Sequence, residues 1–177
     1  TRRADGPTVY DATLPPGAPI SFAASTVTAS YGISLRNLAV SRDGSFAIYA
    51  AREGDSTMIW YRSLRDATAR PIVGTAGATS PRLSPDGSQI AFLRGDRAYV
   101  TSFGGGEPRL VLDGRSTASV EWLTDTELLV GDQDGNRFSR LDPGGGVPRS
   151  AAIPRCNLWS WLPKPPRLIC SLGGTGL

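Results

Sequence analysis

The chain has 177 residues, 40% of them hydrophobic and 20% charged, an ordinary globular balance with length enough for one sizeable core. It contains no histidine, which excludes Ser-His-Asp and Cys-His catalysis and the usual zinc sites. Its net charge of +3 comes from scattered arginines, with Lys164 the only lysine; that pattern describes a solvated surface and not a nucleic-acid face, and no apolar run reaches the length of a membrane span.

In chain order, residues 1–20 read as an extended N-terminal arm, polar at first and then Thr13-Leu14-Pro15-Pro16-Gly17-Ala18-Pro19-Ile20. Residues 21–177 read as a series of short strands. The phrase Leu38-Ala39-Val40-Ser41-Arg42-Asp43-Gly44-Ser45-Phe46-Ala47-Ile48-Tyr49 returns as Pro81-Arg82-Leu83-Ser84-Pro85-Asp86-Gly87-Ser88-Gln89-Ile90-Ala91-Phe92. It returns more faintly around Trp122 and Asp125, and again around Trp161. From Asp43 to Asp86 is 43 residues, and from Asp86 to Asp125 it is 39. A period of about 40 with strand-like units is that of β-propeller blades. The expected fold is therefore all-β, a partial β-propeller of about three and a half four-stranded antiparallel blades, with blades near 36–75, 76–115, 116–153 and 154–177. In blade two the strands are expected near 80–84, 89–94, 97–103 and 108–112. Gly104-Gly105-Gly106-Glu107-Pro108 joins the last two, as Gly144-Gly145-Gly146-Val147-Pro148 does in blade three. No amphipathic helix is expected.

The repeated turns have a local cause. Pro85 presets φ, Asp86 caps the turn with its side chain, and Gly87 takes a positive φ; Asp43 and Gly44 repeat the last two roles with Arg42 in the proline position. Ser84-Pro85-Asp86-Gly87-Ser88-Gln89-Ile90-Ala91-Phe92 resembles the TolB-type WD-like propeller repeat. The order Ile59-Trp60-Tyr61-Arg62-Ser63-Leu64, then Pro71-Ile72-Val73-Gly74-Thr75-Ala76-Gly77-Ala78, then the S-P-D-G turn resembles the extracytoplasmic propeller of bacterial eukaryotic-like serine/threonine kinases. That resemblance implies an extracytoplasmic or periplasmic location. Kinase activity does not follow, because no Gly-rich loop with a strand lysine and no H-R-D occurs.

Other candidate chemistry is thin. Asp132-Gln133-Asp134-Gly135-Asn136 looks like part of a calcium loop, but its sixth and twelfth positions are Arg137 and Pro143 where Gly and Glu are needed, so it reads as a hairpin turn. The triple glycines are not followed by Gly-Lys-Ser/Thr and read as turns. There is no G-x-S-x-G elbow. No cofactor, metal or catalytic residue is expected. Cys156 and Cys170, the only cysteines, are a disulfide candidate in an oxidising compartment, with two buried thiols as the alternative. Trp122 and Trp161 sit at equivalent blade positions and read as core, while Trp60 and Trp159 are candidates for a partner face.

Three and a half blades cannot close a ring alone, and an open arc exposes sheet flanks and edges. The expected function is a non-catalytic interaction or stabilising subunit on the extracytoplasmic side of a larger membrane complex, respiratory or photosynthetic, whose partners are its protein subunits. The alternative is the truncated sensor domain of a transmembrane serine/threonine kinase. A peptidase propeller fragment is the third reading, disfavoured by the missing histidine and nucleophile motif.

Overall fold

The computed structural model describes residues 13–20, 37–66, 68–114, 117–132, 137–153, 158–163 and 166–171, the last two stretches by their backbone alone. Its strands are β1 (Leu38–Val40), β2 (Phe46–Glu53), β3 (Ser56–Ser63), β4 (Ala69–Pro71), β5 (Thr79–Leu83), β6 (Gln89–Arg94) and β7 (Arg97–Ser102). They continue as β8 (Arg109–Asp113), β9 (Thr117–Thr124), β10 (Glu127–Asp132), β11 (Phe138–Leu141), β12 (Arg149–Ala151), β13 (Leu158–Pro163) and β14 (Pro166–Ser171). No helix occurs among the described residues.

The strands form three four-stranded antiparallel sheets in simple sequential order, β1–β4, β5–β8 and β9–β12, followed by the two-stranded sheet β13–β14. Each sheet's first strand contacts the first strand of the next, β1 with β5, β5 with β9 and β9 with β13, which places the first strands on the inside of an arc. This is a partial β-propeller. The four strands of blade two fall within one residue of their expected positions.

Packing explains why the blades stack. Successive side chains of a strand point to opposite faces, so a strand buried on both sides carries a continuous apolar run. β6 is such a strand. Ile90 and Phe92 join Ile48, Ile59, Ile72 and Ala78 between blades one and two. Ala91 and Leu93 join Ala98, Val100, Val120, Trp122, Leu128 and Val130 between blades two and three. Burying one such side chain contributes about 1.5–3 kcal/mol, so each interface is a core in its own right. Leu123, Leu129 and Phe138 form a further apolar cluster on blade three.

Polar contacts then set the register between blades. On the inner strands, Arg82 Nε pairs with Glu121 at 3.0 Å, and the Trp122 Nε1–H donates to the Arg82 carbonyl at 3.1 Å. The Asn37 side chain accepts from the Ser80 amide at 3.2 Å, and Ser80 has φ 51°, a left-handed conformation, at the β-bulge that interrupts β5. Farther along the blade one–blade two interface, the Arg94 guanidinium lies over Tyr99 at 4.9 Å and over Phe92 at 5.7 Å, and it donates to the Gly74 carbonyl at 2.9 Å.

Residues 13–20 correct one expectation. They do not extend from the fold as an arm. Ala18 is buried with Tyr49 and Ala51 of β2, flanked by Leu14, Ile20 and Trp60, and Ile20 forms an antiparallel bridge with Ala51. The Ala18 amide donates to the Pro15 carbonyl at 2.9 Å, closing a turn that folds the segment onto blade one. The apolar area gained there outweighs the freedom of an extended chain. Residues 1–12 lie outside the described residues.

Candidate interaction surface

The two strongest sequence motifs form the same object twice. In the first, Asp43 Oδ1 accepts from the Ser41 hydroxyl at 2.8 Å, the Ser45 amide at 3.0 Å and the Ser45 hydroxyl at 2.7 Å. In the second, Asp86 accepts from the Ser84 hydroxyl at 2.6 Å, the Ser88 amide at 3.0 Å and the Ser88 hydroxyl at 2.7 Å. Gly44 and Gly87 close the turns through amides donated to the Ser41 and Ser84 carbonyls, at φ 69° and 75°. Pro85 opens the second turn. The turns are also linked between blades, since the Asp86 amide donates to Asp125 Oδ1 at 2.8 Å. These residues build blades; each carboxylate accepts three hydrogen bonds within its own turn.

That engagement has a pH consequence. The Ser45 side chain and amide, then the Ser41 hydroxyl, hold Asp43 at about 2, well below its ordinary 3.8. The Ser84 hydroxyl, then the Ser88 amide and hydroxyl, hold Asp86 at about 2 as well. A carboxyl whose pKa is lower in the folded state contributes stability above its unfolded pKa and loses it as pH falls through the folded pKa. Melting temperature should therefore drop between about pH 4 and pH 2, and the double variant Asp43→Asn/Asp86→Asn should be less stable at neutral pH and show a flatter acid limb. Melts at half-unit pH steps check this, and parallel acid limbs in the two proteins would refute it.

Trp60, a candidate for a partner face, lies on the side of blade one that turns away from blade two. Cross-strand pairing puts two rows of side chains on that flank: Leu38, Tyr49, Trp60 and Pro71 in one, Val40, Ala47, Arg62 and Ala69 in the other. The middle of the flank is covered. Tyr49 is fully buried and Trp60 half-buried against Ala18, Leu14 and Ile20. Its inner end is not: Leu38 is 47% exposed and Val40 53%. Three polar groups of this flank, Tyr49 Oη, Trp60 Nε1 and Arg62 Nε, are buried with no hydrogen-bond partner, although Arg62 Nη1 does reach the Asp66 carbonyl at 2.9 Å. Burial pushes the Tyr49 hydroxyl above its ordinary pKa, against the smaller opposite pull of the Arg62 charge. Arg94 Nε at the blade one–blade two interface and Thr101 Oγ1 of β7 are likewise buried without a partner, so what sets this flank apart is the exposure of Leu38 and Val40.

The remaining candidates divide. Trp159 and Cys170 are directly opposite one another in the β13–β14 pairing. Their side chains, and Cys156 with the disulfide it would form, lie outside the described residues. Among the described residues no group of three or more acidic, cysteine or histidine side chains could hold a metal ion, and no helix is long and apolar enough to cross a membrane. Sequence reasoning missed Leu38, Val40, Tyr49 and Arg62. The signal was there in the repeat, because Leu38 and Val40 align with Pro81 and Leu83 of blade two and with Val120 and Trp122 of blade three.

No protein-family model and no curated protein matches the chain. Among solved structures it is similar to TolB from Acinetobacter baumannii, at 18% identity over 72% of this chain and 34% of that one, with a TM-score of 0.56. It is similar to the β-propeller domain of the Trilobed protease from Pyrococcus furiosus, which has an open velcro topology, at 26% identity over 67% of this chain and 42% of that one, TM-score 0.52. It is also similar to a chain of the nidogen/laminin complex, at 15% identity over 70% of this chain and 51% of that one, TM-score 0.53. The chain thus spans about half or less of the length of each. In fold it is a TolB-like β-propeller, and the share it spans agrees with an arc of about three blades.

Proposed function

We propose that the chain is a non-catalytic protein-interaction module, a partial propeller that docks on the extracytoplasmic side of a larger membrane-associated assembly. One observation carries this reading: the inner end of blade one exposes Leu38 and Val40, at positions whose counterparts in blades two and three pack against the preceding blade. Exposed apolar area at positions that the repeat elsewhere covers is what an interface looks like without its other half. The likeness to TolB and to a chain of the nidogen/laminin complex supports a role in protein contacts. A propeller presents its loops and flanks as binding surface and needs no catalytic group for that. The second reading, the extracytoplasmic sensor of a transmembrane kinase, is carried by the strand order of residues 59–78 leading into the S-P-D-G turn at Ser84–Gly87.

Quantitative affinity capture tests the proposal. The purified chain, immobilised, should retain a defined set of proteins from detergent-solubilised envelope membranes, and the same proteins should be depleted at least tenfold when free chain competes. Failure to retain any protein that free chain displaces would overturn it.

A further inference from the structure

We infer that the open flank of blade one is the seat of another propeller blade, from outside the sheets described above, and that it binds that blade as blades two and three bind their own neighbours. This rests on the interaction-module reading and names the surface and its occupant.

The repeat itself supplies the comparison. Stepping from Asp43 to Asp86 to Asp125 aligns Leu38 with Pro81 and Val120, and Val40 with Leu83 and Trp122. Pro81 is fully buried, Val120 is 1% exposed and Trp122 3%, while Leu83 packs into the cluster around Ile48 and Ile59. In both cases the cover is the second and third strands of the preceding blade: β2 and β3 over blade two, β6 and β7 over blade three. Among the described blades, only in blade one are the same positions half in water. The same residue types at the same register positions call for the same cover, a sheet flank with small and branched apolar side chains.

The path of the chain into blade one agrees. The turn from Pro15 to Ala18, closed at 2.9 Å, has the form of the turn from Thr75 to Ala78, closed at 3.0 Å, and both alanines are buried. Ile20 then bridges to Ala51 near the end of β2, much as Thr79 pairs with Leu93 near the end of β6. In blade two that entry comes from β4, the outer strand of the blade that covers it. Blade one is therefore entered as a blade with a neighbour is entered.

Photo-crosslinking identifies the occupant. Val40 is replaced by p-benzoylphenylalanine in the protein expressed in its own cells, with Val147, an exposed apolar residue of a distant loop, replaced likewise as control. The expected adduct lies on a strand of a propeller blade outside residues 37–171, and Val147 does not form it. Adducts confined to a protein without propeller blades, to residues 37–171 of a second copy, or no stronger than those from Val147 would overturn the inference. An adduct on a non-propeller membrane protein would do so while leaving the interaction-module reading intact. Failure of the capture experiment with a blade adduct present would do the reverse.

Discussion

Replacing Trp122 with alanine should lower the stability of the chain by about 4 kcal/mol, the range expected when a buried large aromatic is truncated and its cavity cannot collapse. Trp122 is 3% exposed and sits in the cluster that joins blades two and three, among Ala91, Leu93, Val100, Val120 and Leu128. Its neighbours belong to two different sheets, each held rigid by its own ladder, so neither can move in to fill the space. The substitution also strips the Arg82 carbonyl of the indole donor, beside the Arg82–Glu121 pair on the inner strands. Trp122→Phe separates the two effects. It keeps most of the apolar volume and loses the hydrogen bond, so it should cost about 1–2 kcal/mol. Urea titrations of both variants followed by tryptophan fluorescence and far-ultraviolet dichroism give the answer. A cost below about 1 kcal/mol for Trp122→Ala would mean that blades two and three do not share a single core. Since a domain of this kind has only about 5–15 kcal/mol in total, the full effect would leave the arc close to its threshold.

How much of this was legible in the sequence depends on how far each contact reaches along the chain. The S-x-D-G turns were legible because every bond in them spans five residues or fewer, as from Ser84 to Gln89, and the residue types have strong intrinsic preferences. The strands of blade two were legible because the turns on either side fix where they start. What required the structure is what couples positions about 40 apart. Arg82 and Glu121 look like ordinary surface charges in a list of residues, and only the stacking of β5 against β9 makes them a pair. Residues 13–20 contain two prolines in succession and read as an arm, since nothing local reveals that Ala18 fits under Tyr49. Trp60 reads as facing a partner because a large aromatic outside the repeat-equivalent positions has no obvious place in the core. The structure puts it on the flank of blade one that turns away from blade two, partly covered, and the exposed residues of that flank are Leu38 and Val40, which locally look like ordinary strand residues.

The rim of the blade one–blade two interface carries the other large effect. Gly74 follows β4 with φ 87°, and a Cβ placed on it would overlap the Gly106 carbonyl oxygen and lie 3.1 Å from the Gly106 carbonyl carbon. The Gly104–Gly106 loop reaches this close because the Gly106 amide donates to the Val73 carbonyl at 3.2 Å, and Gly105 itself lies against the Val73 backbone. Gly74→Ala thus meets two penalties. A non-glycine residue at this φ is strained, at about 1–3 kcal/mol, and the methyl group overlaps backbone, which cannot swing aside as a side chain can. Relief requires the loop to withdraw, which breaks the Val73–Gly106 bond and loosens Gly74 itself, whose carbonyl accepts from Arg94. Together these should cost about 3 kcal/mol or more. Gly54 provides the control. It has φ 59° in the β2–β3 hairpin, and nothing lies within 4 Å of its added Cβ, so Gly54→Ala carries the backbone strain alone, about 1 kcal/mol. Denaturant titration of the two variants, with hydrogen exchange at the β4 and β8 amides, measures the difference. If Gly74→Ala costs no more than Gly54→Ala, the loop yields freely and the triple glycine is only a turn. If the gap of about 2 kcal/mol appears and exchange rises at β4 and β8 while the β2–β3 hairpin stays protected, the glycines serve a second purpose: they let one blade's loop lie on the backbone of the next.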